Sequence, residues 1–480
     1  MKSRVLFLLG CLFSIHLHGQ FAEDSLALSL DDVFALAREN HPIIRQAALQ
    51  DDMAAAEIKS AKGQFDPKIQ STYNLKNYKG TEYYNKLYNS LKIPVWFPID
   101  PKVEVYRNSG DYLNRESYVS SSEDYWQVAA GVSLPVGKGL FIDERRSLVK
   151  QANLYSNLAE AEKTKLINKT LLTISKSYWD WVLAHRKFQL TTASLTLSQE
   201  IFERVKMDYE YGEASVIDTV QAQITFISRQ ADYEQTSLDL TQARLLLSTH
   251  LWNPNNVPLE LPDGAKPALS ESSTIIVPTD TTLQTLVNWA STNHPEIQKL
   301  NTKQQQLEIQ QRWNRESLKP ELNLSYSLIN APFSPDGFET PQWQDNYKLG
   351  MDFSIPIFLR KERGNIQKTR VYQEQTAYTL IQTQLEIAAE IKSTYATLKT
   401  NEKLASQYEQ MANSYNRLLE AEVFNLENGE SDLFKLNVQQ DKYIQAQMKA
   451  IEGKVKYEKM KYQLPHDAGL PFLSYQKLYE

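Results

Sequence analysis

The chain has 480 residues, 42% of them hydrophobic, and a formal net charge of −6. This length holds several domains or one elongated repeat protein, and the ordinary apolar share excludes both a disordered chain and a polytopic helical membrane protein. The mild charge argues against a nucleic-acid partner, and 16 Gly and 19 Pro are so few that the elements must be long.

In chain order, the N-terminus reads as a secretory signal over residues 1–19. Lys2 and Arg4 precede an apolar run from Val5 to Ile15, and Leu17-His18-Gly19 ends on a small residue. The run is too short to span a bilayer, so cleavage before Gln20 is expected. Leu8-Leu9-Gly10-Cys11 resembles a lipoprotein box, but the apolar stretch before Cys11 is very short for one. Cys11 is the only cysteine, so the mature chain offers no thiol or disulfide chemistry. No later stretch reaches the roughly 18 apolar residues of a membrane helix. Any crossing of a membrane must therefore use strands.

Leu30 to Glu39 predicts a short amphipathic helix. Pro42 opens a second helix that ends near Gly63, since proline is tolerated in a first turn. Two strands are expected next, at about 67–76 and 124–136. Ile69, Ser71, Tyr73 and Leu75 alternate with Lys68, Gln70, Thr72 and Asn74. Trp126, Val128, Ala130, Val132 and Leu134 alternate with smaller or polar residues. Between them lies a Tyr-rich stretch, Lys76 to Asp124, with Pro94, Pro98 and Pro101.

A helical hairpin is predicted over about 144–252, closing a first repeat of 28–262. A linker covers 263–280. A second repeat, 281–470, has strands at about 320–330 and 346–357 and a hairpin at about 361–464. The duplication is visible residue by residue. Leu30 to Tyr73 matches Leu283 to Tyr326 without a gap, with Asn40-His41-Pro42 falling on Asn293-His294-Pro295. Ser133-Leu134-Pro135-Val136 matches Ser354-Ile355-Pro356-Ile357, and Gly212-Glu213 matches Gly429-Glu430. Such a repeat implies a unit that buries its faces against copies of itself.

The second pair of strands repeats the alternation. Leu322, Leu324, Tyr326 and Leu328 lie on one face, opposite Glu321, Asn323, Ser325 and Ser327. Leu349, Met351, Phe353 and Ile355 alternate with Lys348, Gly350, Asp352 and Ser354. Period two is strand behaviour. An apolar face and a polar, even charged, face fit a transmembrane barrel, though a half-buried soluble sheet has the same pattern. Four strands cannot close, and open edges cannot face lipid. A membrane reading therefore requires an oligomer, and three chains of four strands give twelve.

Arg145 to Glu210 and Asn365 to Asn428 contain no Pro or Gly. Each run can extend roughly 100 Å as a helix. Ile167, Ile174, Trp181, Phe188, Leu195, Phe202 and Tyr209 recur every seventh residue. In the second copy Ile391, Leu398, Ala405, Ala412, Leu419 and Leu426 do the same. A sustained seven-residue period predicts left-handed coiling.

Two tight turns join the helices of the hairpins. Gly212 and Gly429 suit the left-handed residue after a helix, and Ser215 and Asp432 suit the N-cap of the returning helix. In a trimer six such tips form a ring, offering a docking surface made of Gly212, Glu213, Ser215, Gly429, Glu430 and Asp432. Glu213, Asp218 and Glu430 are candidate residues of a periplasmic gate, although the position aligned with Asp218 is Lys435.

The order and duplication of these features make the chain resemble the TolC-type outer-membrane efflux protein family, over about Leu28 to Leu464. The resemblance implies a mainly α fold with transmembrane β: a homotrimer whose twelve-stranded barrel continues into a periplasmic α-helical barrel. It implies a passive channel in the outer membrane of a Gram-negative bacterium, with a large periplasmic portion, embedded in outer-membrane lipid. In such a channel the Tyr-rich stretch Lys76 to Asp124 is expected to be a long extracellular loop or a partial plug, its aromatics belonging to an interface girdle. The implied partners are a periplasmic adaptor (membrane fusion protein) and an inner-membrane transporter, in efflux or type I secretion. A periplasmic coiled-coil adaptor or scaffold remains the alternative, but duplication and two-faced strands favour the channel. No enzymatic motif, metal-ligand spacing or phosphate-binding loop is present, so neither a cofactor nor a metal is expected. His41 and His294 recur, but each precedes a proline at a helix junction and reads as structural. His185 and His250 lie alone in helical patterns and read as packing residues.

Overall fold

The computed structural model describes residues 27–114, 126–268, 279–329 and 346–472. The expected signal segment 1–19, Cys11, and most of the expected linker lie outside the described residues. Seventeen elements follow in chain order. The first are β1 (Ala27–Leu28), α1 (Leu30–Asn40), α2 (Pro42–Lys62), β2 (Lys68–Tyr78), β3 (Thr81–Lys92), β4 (Asp100–Ser109) and β5 (Trp126–Pro135). Then come α3 (Glu144–Ala152), α4 (Tyr155–Glu210), α5 (Val216–Ser248) and β6 (Lys266–Pro267). The rest are α6 (Asp280–Asn293), α7 (Pro295–Glu316), β7 (Glu321–Ile329), β8 (Tyr347–Ser354), α8 (Arg360–Glu427) and α9 (Leu433–Asp467).

Two compact units are built from this chain. One comprises Met1–Ile44, Thr170–Val277 and Ala396–Gln463. Its core is a seam of large side chains, with Phe34, Leu171, Ile174, Tyr178, Trp181, Leu247, Leu398 and Tyr457 fully buried. Seven of the eight come from the long helical hairpins, and the every-seventh-residue positions Ile174, Trp181 and Leu398 are among them. The Tyr178 hydroxyl donates to the carbonyls of Leu28 (3.1 Å) and Ala268 (3.3 Å). This ties the small parallel β1–β6 pair to α4. Lys187–Glu452 (2.6 Å) joins α4 to α9, and Arg229–Asp441 joins α5 to α9.

The other unit comprises Arg45–Lys169, Pro278–Tyr395 and Leu464–Glu480. It holds one antiparallel six-stranded sheet, in the order β2-β3-β4-β5-β7-β8. The expectation of four strands is corrected here. The stretch 76–124, expected as a loop or plug, contributes β3 and β4 between β2 and β5. Its prolines do not break strands: Pro94 and Pro98 lie in the β3–β4 turn, and Pro101 is the second residue of β4. Proline is tolerated at such strand starts because it removes no ladder bond needed there. The polar face of β4 is anchored to the helix start by Arg145, which pairs with Asp100 (3.3 Å) and Asp143 (2.9 Å).

No described helix is long and apolar enough to cross a membrane.

Candidate functional site

The first hairpin tip is built by backbone geometry. Gly212 has φ +79° and meets nothing within 4 Å where a Cβ would stand, so glycine is required there by conformation alone. The Glu213 and Ala214 amides donate to the Asp208 carbonyl (2.8 and 3.2 Å), closing the end of α4. Ser215 then caps α5. Its hydroxyl oxygen accepts from the Asp218 amide (3.2 Å), while the Asp218 carboxylate accepts from the Ser215 amide (3.0 Å) and hydroxyl (2.7 Å). This reciprocal capping box holds the Asp218 carboxyl below its ordinary range, through the side-chain and then the backbone bond to Ser215. Asp218, expected at a gate, is placed here as a capping residue of α5.

The second tip repeats the turn with different chemistry. Gly429 has φ +73°, and the Glu430 amide donates to the Asn425 carbonyl (2.8 Å). Asp432 caps α9 by accepting from the Lys435 amide (2.9 Å), and the Lys435 ammonium stands 3.7 Å from the same carboxylate. Glu213 and Glu430 are exposed and free to meet other charges.

The structure adds a feature not anticipated from the polar tip residues. Val216, Ile217, Val220 and Ile224 of α5 face Phe434 and Val438 of α9 across an apolar groove of about 550 Å³. Ile217 is 76% exposed and Phe434 63%. The signal was present as apolar residues at Val216, Val220, Ile224 and Ile227, a helical stripe longer than one hairpin needs for its own core.

The recurrent histidines cap helices. His41 Nδ1 accepts from the Ile43 amide (3.3 Å), and His294 Nδ1 from the Glu296 amide (3.2 Å). Burial lowers both to about 4, so both stay neutral near pH 7. For His41 the neighbouring His250 ring, stacked at 5.7 Å, acts in the same direction. Among the described residues no cluster of three or more His, Cys, Asp or Glu is arranged to hold a metal ion.

The sheet is inverted relative to a soluble protein. Ile69 is 82% exposed, Met351 68% and Phe353 63%, whereas Asp100 and Glu104 on the opposite face are buried. Exposed contiguous apolar surface of this kind needs a non-aqueous or protein neighbour. Aromatic residues fringe both ends of the strands. At the turn end Tyr83 stacks on Tyr112 (4.5 Å) and Arg107 lies over Trp126 (5.6 Å). At the other end Phe65 meets Trp96 (5.5 Å), Lys319 lies over Phe141 (4.6 Å) and Arg360 over Phe358 (4.9 Å). Two aromatic girdles flanking an apolar band are a property of outer-membrane strands.

A model of the outer membrane efflux protein family matches residues 33–251 and 286–464, two segments that follow the duplication. Among curated proteins none matches the sequence. Solved structures share the fold at low identity. The Campylobacter jejuni CmeC outer membrane channel is 15% identical with a TM-score of 0.63, over 92% of this chain and 85% of that one. The Vibrio cholerae outer membrane protein VceC is 13% identical with a TM-score of 0.64, over 92% and 96%. The open state of the Neisseria gonorrhoeae MtrE outer membrane channel is 14% identical with a TM-score of 0.63, over 92% and 89%. With the family model covering most of its length, the chain belongs to the outer membrane efflux protein family, a family of transport channels and not of enzymes.

Proposed function

We propose that this chain is the passive exit duct of a tripartite efflux or type I secretion system. Three copies close the sheet into a barrel in the outer membrane, and the helical hairpins stand in the periplasm. The observation that carries this reading is the inverted sheet: apolar side chains exposed on one face, charged ones covered on the other, aromatic girdles at both ends. A soluble coiled-coil adaptor or scaffold has no use for such a surface, so the channel reading is preferred.

The six tips of the trimer dock on a periplasmic adaptor, which connects the duct to an inner-membrane transporter. Gly212, Ser215, Gly429 and Asp432 shape the tips, and the groove between α5 and α9 receives an apolar helical edge. Exposed Glu213 and Glu430, with Asp218 behind its capping bonds, set the charge at the periplasmic gate. Protein purified from an outer-membrane fraction is expected to give discrete, ohmic conductance steps in planar bilayers. Its absence at every voltage, after removal of the charges with Glu213→Gln and Glu430→Gln, would count against a duct. Docking is tested by Ile217→Asp with a co-produced adaptor: loss of the cross-linked complex with the trimer intact is expected, and an unchanged yield would remove the groove from the interface.

A further inference from the structure

We propose that the inserted pair β3–β4 is part of the lipid-facing wall, so that each protomer supplies six strands and the closed barrel has eighteen, enclosing a wide water-filled exit. This rests on the reading of the chain as a trimeric outer-membrane duct.

The first argument is topological. β3 pairs with β2 and β4 pairs with β5, so the insertion stands between the two strands that a four-stranded protomer would pair directly. A plug or surface flap would leave β2 beside β5; here the wall is continuous only through the insertion. The second is length. β3 has 12 residues and β4 has 10, close to the roughly 9–11 that a tilted membrane strand needs.

The third is register. One row of partners runs Ile69, Leu91, Val103, Ala130, Leu328 and Tyr347 across all six strands. The next row runs Lys68, Lys92, Lys102, Gly131, Ser327 and Lys348. A slip of one residue anywhere would interchange the faces, and none occurs along these rows. Apolar and polar faces therefore pass through β3 and β4 in phase with the strands on either side. Asn85 and Asn89 interrupt the apolar face of β3, but both are neutral. Arg107, the charge on that face of β4, sits at the strand end over Trp126, where an interface would hold it.

The polar face of the insertion carries paired charges. Glu104 accepts from the Tyr88 hydroxyl (2.5 Å) and pairs with Lys102, and Lys92 stands 3.5 Å from Asp100. Barrel diameter grows roughly linearly with strand number, and barrels of 16–18 strands leave an aqueous channel. Eighteen strands in place of twelve widen the lumen by about half. The membrane segment is then wider than a twelve-stranded exit would be.

The test uses full-length protein in liposomes with single introduced cysteines, the labelling of the parent chain being subtracted. Leu87→Cys and Val103→Cys report on the apolar face of the insertion, and Lys86→Cys and Lys102→Cys on its polar face. Leu349→Cys and Lys348→Cys report on β8. The probes are a charged maleimide and a bimane label quenched by brominated acyl chains. The expected result is quenching at 103 equal to that at 349 and weaker but present at 87, whose cross-strand partner is Arg107, with maleimide reaction at least about tenfold slower than at 86, 102 and 348. Quenching at 349 but not at 87 or 103 overturns the proposal and leaves the duct reading standing. Loss of quenching at 349 as well overturns both. Should a cysteine variant fail to assemble, a density map of the unsubstituted protein in nanodiscs decides the same point, eighteen strands against twelve.

Discussion

The two copies of the repeat agree in their helices and differ in their strands. Trp181 and Leu398 occupy equivalent positions in α4 and α8, and both are fully buried. His41 and His294 cap equivalent helices with the same ring nitrogen. Yet the first copy places four strands in the sheet and the second only two. The helical parts must pack against each other, so each copy restrains its partner. A strand hairpin added within a sheet needs only edges that match in register and face. A barrel wall thus accepts an insertion of paired strands that a packed helical core would not.

The largest effect is expected where the copies are most alike. Trp181→Ala should cost about 3–5 kcal/mol and Leu398→Ala about 2–5 kcal/mol, as large-to-small changes at fully buried sites. Denaturant unfolding in detergent measures both, and a cost below about 1 kcal/mol at either site would break the equivalence of the two cores. The strands sharpen the contrast. Leu91→Arg in β3 and Met351→Arg in β8 should each cost about 2–4 kcal/mol if both face lipid near mid-depth. Folding into vesicles titrated with urea gives the numbers, and a near-neutral Leu91→Arg beside a costly Met351→Arg would separate the inserted strands from the original ones.

Acid should weaken both copies through their histidine caps. The folded pKa of about 4 for His41 and His294 lies below the usual 6.5, so the unfolded chain takes up the protons first. Stability is then fully present above about pH 6.5 and falls as the pH drops toward 4. Thermal midpoints across that range should lose part of their slope in His41→Asn and in His294→Asn. A slope unchanged in both variants would show that the caps do not titrate as described. The smallest effects belong to the tips: Ser215→Ala and Asp432→Ala should each cost about 1 kcal/mol as lost N-caps. For the first tip this loss should shrink in acid as Asp218, held below its ordinary range by Ser215, is protonated. Hydrogen exchange confined to the first turns of α5 and α9 reports it.

Much of this was readable from the residues. The duplicated Asn-His-Pro, the alternating faces of four strands and the Gly-x-x-Ser and Gly-x-x-Asp tips each have a local physical cause that survives folding. β3 and β4 were not readable because Tyr84, Lys86 and Tyr88 alternate with Leu87, Asn89 and Leu91, two faces of similar mixed polarity, and three prolines punctuate the stretch. Only pairing with β2 and β5 assigns those faces. The capping role of Asp218 was hidden because a capping carboxylate and a free one look identical until the Ser215 hydroxyl is placed. The groove at Val216 and Phe434 was hidden because apolar residues on a helix imply burial, and the chain alone leaves these exposed.

The measurement closest to the central claim is the mass of the unheated protein extracted from the outer membrane, by light scattering corrected for detergent. Closure of the sheet by identical copies predicts a mass near three protomers that forms only with detergent or lipid present. A soluble monomer or dimer that needs neither would contradict the barrel.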